Sequence, residues 1–259
     1  ALTANTTGAT NTAVGDSAMV ANTTGAENVA VGGTALDANT TGDANTAVGY
    51  AALTANATGS QNTAVGRSAL QDTAGGGNTA MGYKAMEANS TGTGNVAVGW
   101  SALDAATTAT NNTGVGYGAL GSTTTGGSNT AVGYGALDTN STASNNTAMG
   151  YNALTANTGG AGNTAVGYTT LDANTTGAYN VAVGYNSLTA NTTADANTAI
   201  GNSVMTANTT GTLNTAVGQA ALASNTTANN NVAIGVSALN ANTTGASGTA
   251  VGYAALDAN

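Results

Sequence analysis

The chain has 259 residues and a formal net charge of −9, and only 5% of its residues are charged. Arg67 and Lys84 are the only basic residues, which argues against nucleic acid as a partner because such binding depends on Lys and Arg. The absence of His and Cys excludes catalytic triads, thiol catalysis and imidazole ligands for a metal. No apolar run approaches the roughly 18 residues of a membrane span, so we expect no membrane insertion.

One unit, N-T-A-V-G-Y-x-A-L-x-A-N-T-T-G-x-x, repeats through the chain. Its first glycine recurs every 17 residues, from Gly15 to Gly252, except for a 16-residue step between Gly66 and Gly82. A period below about 20 residues without a helix-length segment indicates one coil of backbone per repeat. The sequence therefore predicts an all-β parallel β-solenoid (β-roll) of fifteen coils, forming a single array over residues 1–259.

Two segments of each coil have strand character. The first is N-T-A-V-G, beginning at Asn11, whose alternation places Thr and Val on one face and Ala on the other. The second is x-A-L-x-A-N, centred on Leu36 and its equivalents. Gly and Asn in the links permit tight bends. A helix is disfavoured because no stretch between these residues reaches typical helix length.

The first position of each coil, which we call the strand-start Asn row, is Asn in all coils but the last, where Gly248 replaces it. Stacked amides can hydrogen-bond from coil to coil along the axis, as in cross-β assemblies. The alternative is that each Asn caps its own turn. The ladder interpretation is preferred, and the row consists of Asn11, Asn28, Asn45, Asn62, Asn78, Asn95, Asn112, Asn129, Asn146, Asn163, Asn180, Asn197, Asn214 and Asn231.

The middle residue of the first strand never exceeds a methyl side chain. This restriction indicates close approach to another surface, either the opposite wall of the coil or a second chain. Because the core of each coil is thin, we favour a chain–chain interface. This Ala row consists of Ala13, Ala30, Ala47, Ala64, Ala80, Ala97, Gly114, Ala131, Ala148, Ala165, Ala182, Ala199, Ala216, Ala233 and Ala250.

The string N-V-A-I-G at 231–235 resembles the YadA-like head repeats of trimeric autotransporter adhesins. The whole unit is similar to repeat arrays of bacteriophage tail-fibre proteins, and the likeness covers all fifteen coils. The adhesin resemblance implies a left-handed β-roll that assembles as a homotrimer. It also implies that the strand Val and Ile point into the roll and that the small Ala faces the trimer axis.

Both ends of the sequence fall in the middle of a repeat, in the A-L-x-A-N segment. Solenoids usually carry atypical polar caps, and neither end has one. We therefore expect an uncapped array that is either a segment of a longer fibre or stacks on neighbouring subunits.

The residue after the strand glycine is aromatic in seven consecutive coils. Stacked rings at one position would form a stripe along one edge of the solenoid. The stripe either packs ring on ring or provides an adhesive surface for sugars or lateral bundling. This aromatic row consists of Tyr83, Trp100, Tyr117, Tyr134, Tyr151, Tyr168 and Tyr185.

Other polar residues give no catalytic or cofactor pattern. The acidic residues recur at one position, at Asp37, Asp104, Asp138, Asp172 and Asp257, with Glu87 at the same place, and we interpret them as a solubilising surface. The turn sequence N-T-T supplies repeated N-x-T glycan acceptors. Adjacent threonines cannot both project from one strand face, which disfavours ice binding through these turns.

The sequence thus predicts a non-enzymatic structural protein without cofactors or metals. The leading hypothesis is an extracellular, cell-surface or virion fibre that self-associates as a homotrimer, filament or bundle. The alternative is an adhesin or glycan-binding module that uses the aromatic row, and ice binding ranks third.

Overall fold

The structure is a computed structural model that describes residues 1–257, so Ala258 and Asn259 of the predicted array lie outside the described part. The chain forms two compact units, residues 1–128 and 129–259. Each described unit consists of short parallel strands joined by turns, and no helix occurs among residues 1–257.

Each coil contributes one strand of three residues. The first unit contains β1 (Thr12–Val14), β2 (Val29–Val31), β3 (Thr46–Val48), β4 (Thr63–Val65), β5 (Thr79–Met81), β6 (Val96–Val98) and β7 (Thr113–Val115). The second contains β8 (Thr130–Val132), β9 (Thr147–Met149), β10 (Thr164–Val166), β11 (Val181–Val183), β12 (Thr198–Ile200), β13 (Thr215–Val217), β14 (Val232–Ile234) and β15 (Thr249–Val251).

Within each unit, consecutive strands pair in parallel and in register, so equivalent residues of neighbouring coils lie side by side. In the first unit Ala13 pairs with Ala30, and in the second Ala165 pairs with Ala182. The predicted all-β parallel β-solenoid is therefore confirmed. The left-handed sense implied by the adhesin resemblance stays a prediction.

The second predicted strand, around the leucines, is not a strand but a series of turns. In these turns the leucine has a left-handed backbone, with φ of 53° at Leu53 and 55° at Leu171. A second non-glycine residue two positions earlier, such as Ala51, shares that conformation, with φ of 57°. Left-handed φ costs an L-residue roughly 1–2 kcal/mol, so sequence propensity favoured a strand here and coil packing overrides it.

The core of each coil contains one large apolar side chain and several small ones. The leucine or methionine of each turn from Met19 to Leu239 is buried, as at Leu103 and Met205. Every member of the Ala row from Ala30 onward is buried as well. At Gly114, an added Cβ would lie 3.4 Å from Leu103 Cδ1 and 3.0 Å from the carbonyl oxygen of Ala119. The Ala row therefore faces the interior of the solenoid, toward the turn of its own coil and the leucine of the preceding coil.

This orientation corrects two expectations. The preferred chain–chain interface at the Ala row is wrong, because these side chains are enclosed within a single chain. The implied inward orientation of Val and Ile is also wrong, since Val48, Ile200 and Ile234 are exposed. Only an alanine fits between the strand backbone and the leucine beneath it, so the larger β-branched residues occupy the outer face.

The strand glycines turn the chain out of each strand with φ between 125° and 142°. This conformation strongly favours glycine, and packing along the axis adds a second restriction. A Cβ built at Gly184 would lie 2.1 Å from the carbonyl oxygen of Gly201 in the next coil. Backbone conformation and coil spacing together explain why this glycine occurs in every repeat.

Candidate functional site

The strand-start Asn row forms a buried ladder in each unit. The Asn45 side-chain oxygen accepts a hydrogen bond from the backbone N–H of Asn62 at 3.0 Å, and its amide donates to the Gly59 carbonyl at 2.8 Å. In the second unit Asn180 does the same with Asn197 at 3.0 Å and Ala194 at 2.8 Å. Axial bonding and turn capping therefore each describe half of the role of this residue.

A second buried ladder follows the asparagine of the A-N-T-T-G turn, which we call the turn Asn row. In the second unit Asn174 Nδ2 donates to Asn157 Oδ1 at 2.9 Å and to the Gly177 carbonyl at 2.9 Å. Sequence reasoning treated these residues only as turn formers and glycan acceptors. Their recurrence at the coil spacing, unbroken from Asn140 to Asn242, was the signal that could have identified them, since the first row recurs at the same spacing.

The turn Asn row is continuous in the second unit and interrupted in the first. The second unit contains Asn140, Asn157, Asn174, Asn191, Asn208, Asn225 and Asn242. In the first unit three of the equivalent positions hold other residues, namely Thr73, Ala106 and Thr123. Within residues 1–257, Asn56 Oδ1, Asn89 Oδ1 and Thr123 Oγ1 are buried without a hydrogen-bond partner; Asn56 and Asn89 adjoin a replaced position in the row, and Thr123 is itself a replacement.

Several asparagines of the N-x-T motifs are buried and hydrogen-bonded. At Asn22, Asn39 and Asn191 the side-chain nitrogen, to which a glycan would attach, donates a hydrogen bond within the turn, and the side chain is fully buried. Asn5, in the first turn, is exposed. The buried asparagines are therefore inaccessible to glycosylation in the folded chain.

The turn threonines are also engaged in bonding between coils. The first threonine of the pair donates its hydroxyl to the equivalent carbonyl of the next coil, at 3.0 Å from Thr23 to Thr40 and 3.0 Å from Thr175 to Thr192. These hydroxyls stabilise the stack, while the second threonine of the pair stays exposed, as at Thr176.

The aromatic row differs between the two units. In the first unit Tyr83 and Trp100 meet edge to face, with ring centroids 5.3 Å apart and planes at 76°. Trp100 and Tyr117 are tilted by 55° at 5.8 Å. The flanking Lys84 lies over the Tyr83 ring and forms an ion pair with Glu87 at 2.9 Å. This part of the row is irregular and partly charged.

In the second unit the rings form a regular stack. Successive centroids from Tyr134 to Tyr185 are 5.2, 5.2 and 5.3 Å apart, and the planes differ by 10°, 11° and 9°. About half of each tyrosine residue is exposed, from 45% at Tyr151 to 51% at Tyr185. The predicted stripe therefore includes ring-on-ring packing, and each ring keeps a solvent-facing part.

The outer strand face is a second surface row, formed by the residue before each strand glycine, and its members are exposed or half-buried. It consists of Val14, Val31, Val48, Val65, Met81, Val98 and Val115 in the first unit, and Val132, Met149, Val166, Val183, Ile200, Val217, Ile234 and Val251 in the second. None carries a charge or a hydrogen-bonding group. Sequence reasoning missed this surface because it assigned these side chains to the interior.

The acidic row lies on the turns and is partly buried. Burial raises the pKa of Asp37, Asp104, Asp138 and Asp172 above the usual range for aspartate. At Asp104 the nearby Glu87 carboxylate raises the pKa further. These four carboxylates therefore carry their charge at a cost in desolvation free energy.

Among residues 1–257 no cluster of three or more His, Cys, Asp or Glu side chains is placed to hold a metal ion. The same residues include no helix long and apolar enough to cross a membrane. Fold and ladders define the chain as a parallel β-solenoid repeat protein. No family model matches the sequence, and neither the curated proteins nor the solved structures compared with it give a match.

Proposed function

We propose that the chain is a non-enzymatic structural protein that forms part of a fibre on a cell surface or virion. Its coils act as a stiff shaft, and its outer strand face packs against further copies of itself. The observation that carries the proposal is the uncharged apolar outer row on a solenoid whose buried polar groups mostly bond from coil to coil.

Stiffness follows from the direction of the hydrogen bonds. Backbone bonds, two Asn ladders and the turn threonines all connect one coil to the next, along the axis of each unit. Such stacks resist bending and proteolysis because no backbone segment opens without breaking several bonds at once. A shaft or spacer needs this property, whereas an enzyme needs a concave site with convergent reactive groups.

Self-association is supported by the composition of the outer strand face. A monomer rarely exposes a contiguous apolar surface larger than a few hundred Å², and larger ones usually mark an interface. The rows of Val, Ile and Met repeat at the coil spacing, so a second copy would meet an identical periodic surface. Two copies could join through this face by a two-fold, self-complementary contact in a bundle, and three copies could bring it together around the axis of a homotrimer.

Analytical ultracentrifugation with negative-stain electron microscopy tests this proposal. The wild-type chain is expected to form defined oligomers or fibres. Val166→Lys with Val183→Lys should yield monomers with unchanged far-UV circular dichroism, because lysines cannot be buried in an apolar interface. Thr176→Lys with Thr193→Lys, on exposed turns, adds the same charge and should assemble like wild type. A wild-type chain that stays monomeric at high concentration contradicts the proposal.

A binding module is the second candidate function, and the exposed ring rows favour it. Tyr and Trp are preferred at interfaces because they combine an apolar ring with a polar group. The regular stack of the second unit suits an elongated ligand better than the irregular row of the first.

A further inference from the structure

We propose that the tyrosine stack of the second unit is a modification site, at which a one-electron oxidant couples neighbouring rings to dityrosine. The stack consists of Tyr134, Tyr151, Tyr168 and Tyr185, and each coupling joins two consecutive coils by a covalent bond. Coupling within one chain needs neither a second copy nor a bound ligand, so this site is independent of the proposed shaft.

The faces of neighbouring rings in the stack are turned toward each other. Successive planes differ by 10°, 11° and 9°, and the centroids lie 5.2, 5.2 and 5.3 Å apart. A tyrosine that loses one electron and its hydroxyl proton becomes a phenoxyl radical, whose unpaired electron lies partly on the ring carbons beside the oxygen-bearing carbon. The orbital that holds this electron points out of the ring plane, so two such radicals bond face to face. Parallel stacking therefore aims the reactive orbitals of each ring at the next ring.

The coupling balances without any further group from the chain. Each of two neighbouring tyrosines gives one electron to the oxidant and its hydroxyl proton to water. A carbon–carbon bond then forms between a Cε atom of one ring and a Cε atom of the other. Each of these carbons releases its hydrogen as a proton, and each ring oxygen takes up a proton to become a hydroxyl again. The net change is the loss of two hydrogen atoms, and the electrons reduce an acceptor such as a peroxide or persulfate.

Backbone hydrogen bonds hold the coils of the stack in register. The N–H of Thr169 donates to the Tyr151 carbonyl at 2.9 Å, and the N–H of Asn186 donates to the Tyr168 carbonyl at 3.1 Å. The rings themselves are half exposed, which gives a dissolved oxidant access and leaves the side chains room to rotate toward each other. Neighbouring rings therefore meet far more often than rings on separate molecules do.

The second unit also contains no side chain that would take the radical away from the stack. Indole and thiol groups give up an electron readily, but the chain has no Cys and its one Trp is Trp100 of the first unit. There Tyr83 meets the Trp100 ring edge to face, with centroids 5.3 Å apart, so its neighbour in the row is an indole and not a second phenol. Coupling between tyrosines is therefore expected in the regular stack of the second unit.

Two tyrosines outside the stack separate the effect of proximity from that of exposure. Tyr179 is 71% exposed and Tyr253 is 84% exposed, more than any member of the stack. The preceding coils hold Gly162 and Val236 at the same positions. If exposure alone governed the reaction, these two tyrosines would react first and would join separate molecules. Proximity instead favours bonds within the stack.

Photo-oxidation of the dilute full chain with a ruthenium tris-bipyridyl complex and persulfate tests the proposal. Dityrosine fluorescence should appear in chains that keep the monomer mass under denaturing conditions. Peptide mass spectrometry should then show the loss of two hydrogens in peptides joined through Tyr151 or Tyr168.

Two double variants provide the matched comparison, and both keep every aromatic ring. Tyr134→Phe with Tyr168→Phe leaves no two tyrosines at the same position of consecutive coils, and should lower the dityrosine yield at least about tenfold. Tyr179→Phe with Tyr253→Phe also removes two hydroxyls but preserves the stack, so its yield should stay within about twofold of wild type.

A second measurement uses the wild-type chain alone. In urea sufficient to abolish its far-UV circular dichroism, the chain keeps every tyrosine but loses the coil register, so the yield should fall to that of Tyr134→Phe with Tyr168→Phe. Absence of dityrosine from the folded chain overturns the proposal, as does an equal loss in both double variants or a yield that urea does not change. Cross-links that map mainly to Tyr179 or Tyr253 overturn it as well. Because fibre assembly is measured separately by sedimentation, either proposal can fail while the other stands.

Discussion

The two units are built from one repeat but differ in how regularly they keep it. The second unit has an unbroken turn Asn row and a parallel tyrosine stack. The first contains the 16-residue coil, three replacements in the turn Asn row, and aromatic rings that meet at steep angles. The strand pairing is the same in both. Backbone register therefore tolerates side-chain interruptions, and their effect appears as buried polar atoms without partners.

The strand glycines are present in every coil of both units, and replacing one should have the largest effect on stability. Gly184→Ala places a Cβ 2.1 Å from the Gly201 carbonyl oxygen at a φ of 130°. We expect a loss of more than about 4 kcal/mol in the free energy of unfolding, measured by chemical denaturation. Gly252→Ala is the control, because it has a φ of 131° but no contact closer than 3.9 Å. It should lose only about 1–2 kcal/mol, and equal losses would refute the role of coil packing.

The turn Asn row can be broken in the second unit. Asn174→Ala removes the donor to Asn157 Oδ1 and the acceptor for Asn191 Nδ2. It thereby reproduces in the second unit the gap that Ala106 makes in the first. We expect a loss of about 3 kcal/mol, since a buried unpaired polar group costs about 1–3 kcal/mol and a small cavity adds to it. Denaturant unfolding measures the loss, and hydrogen exchange should show faster opening of the neighbouring turns.

Substitutions at neighbouring residues can distinguish the inner face of the strand from its outer face. Ala165→Val overfills the space between the strand and the opposite wall, and should cost about 2 kcal/mol. Val166→Ala, on the outer face, should cost less than about 1 kcal/mol in the monomer. The midpoint of thermal unfolding of dilute protein provides the comparison. If Val166→Ala were the more damaging change, our assignment of the two faces would be reversed.

The turn Asn row can be repaired in the first unit. Ala106→Asn places an amide where it can donate to Asn89 Oδ1 and to the Ala109 carbonyl, as its equivalents do in other coils. We expect a gain of about 1 kcal/mol, the net value of a typical buried hydrogen bond. Ala105→Asn, one residue earlier on a half-buried site, is the control and should give no gain. A destabilised Ala106→Asn variant would show that the turn cannot accommodate the amide.

The periodicity predicts the fold because a repeat of constant length leaves few ways to stack identical coils. The strand at Thr164–Val166 lies where the alternation of side chains in N-T-A-V-G predicts it. The orientation of that strand was not predictable from alternation alone. The thin interior of the solenoid is filled by residues such as Ala165 and, from the preceding coil, Leu154, so Val166, which is larger than alanine, faces outward. The turns were missed because leucine has no intrinsic preference for the left-handed φ that Leu154 adopts.

Aspartates on the turns have raised pKa values in both units, as at Asp37 in the first and Asp172 in the second. Replacing one of them should have the smallest effect on stability. Burial raises the pKa of Asp172 in the folded chain. The folded state therefore holds this proton more tightly than the unfolded state does, and stability rises as pH falls from the folded-state pKa toward the usual aspartate value. Asp172→Asn should stabilise the chain by less than about 1 kcal/mol at pH 7. That advantage should disappear near pH 3.5, below the usual aspartate pKa of about 3.9. Thermal unfolding of both proteins across this range measures it, and a pH-independent difference would show that the carboxylate acts through its shape alone.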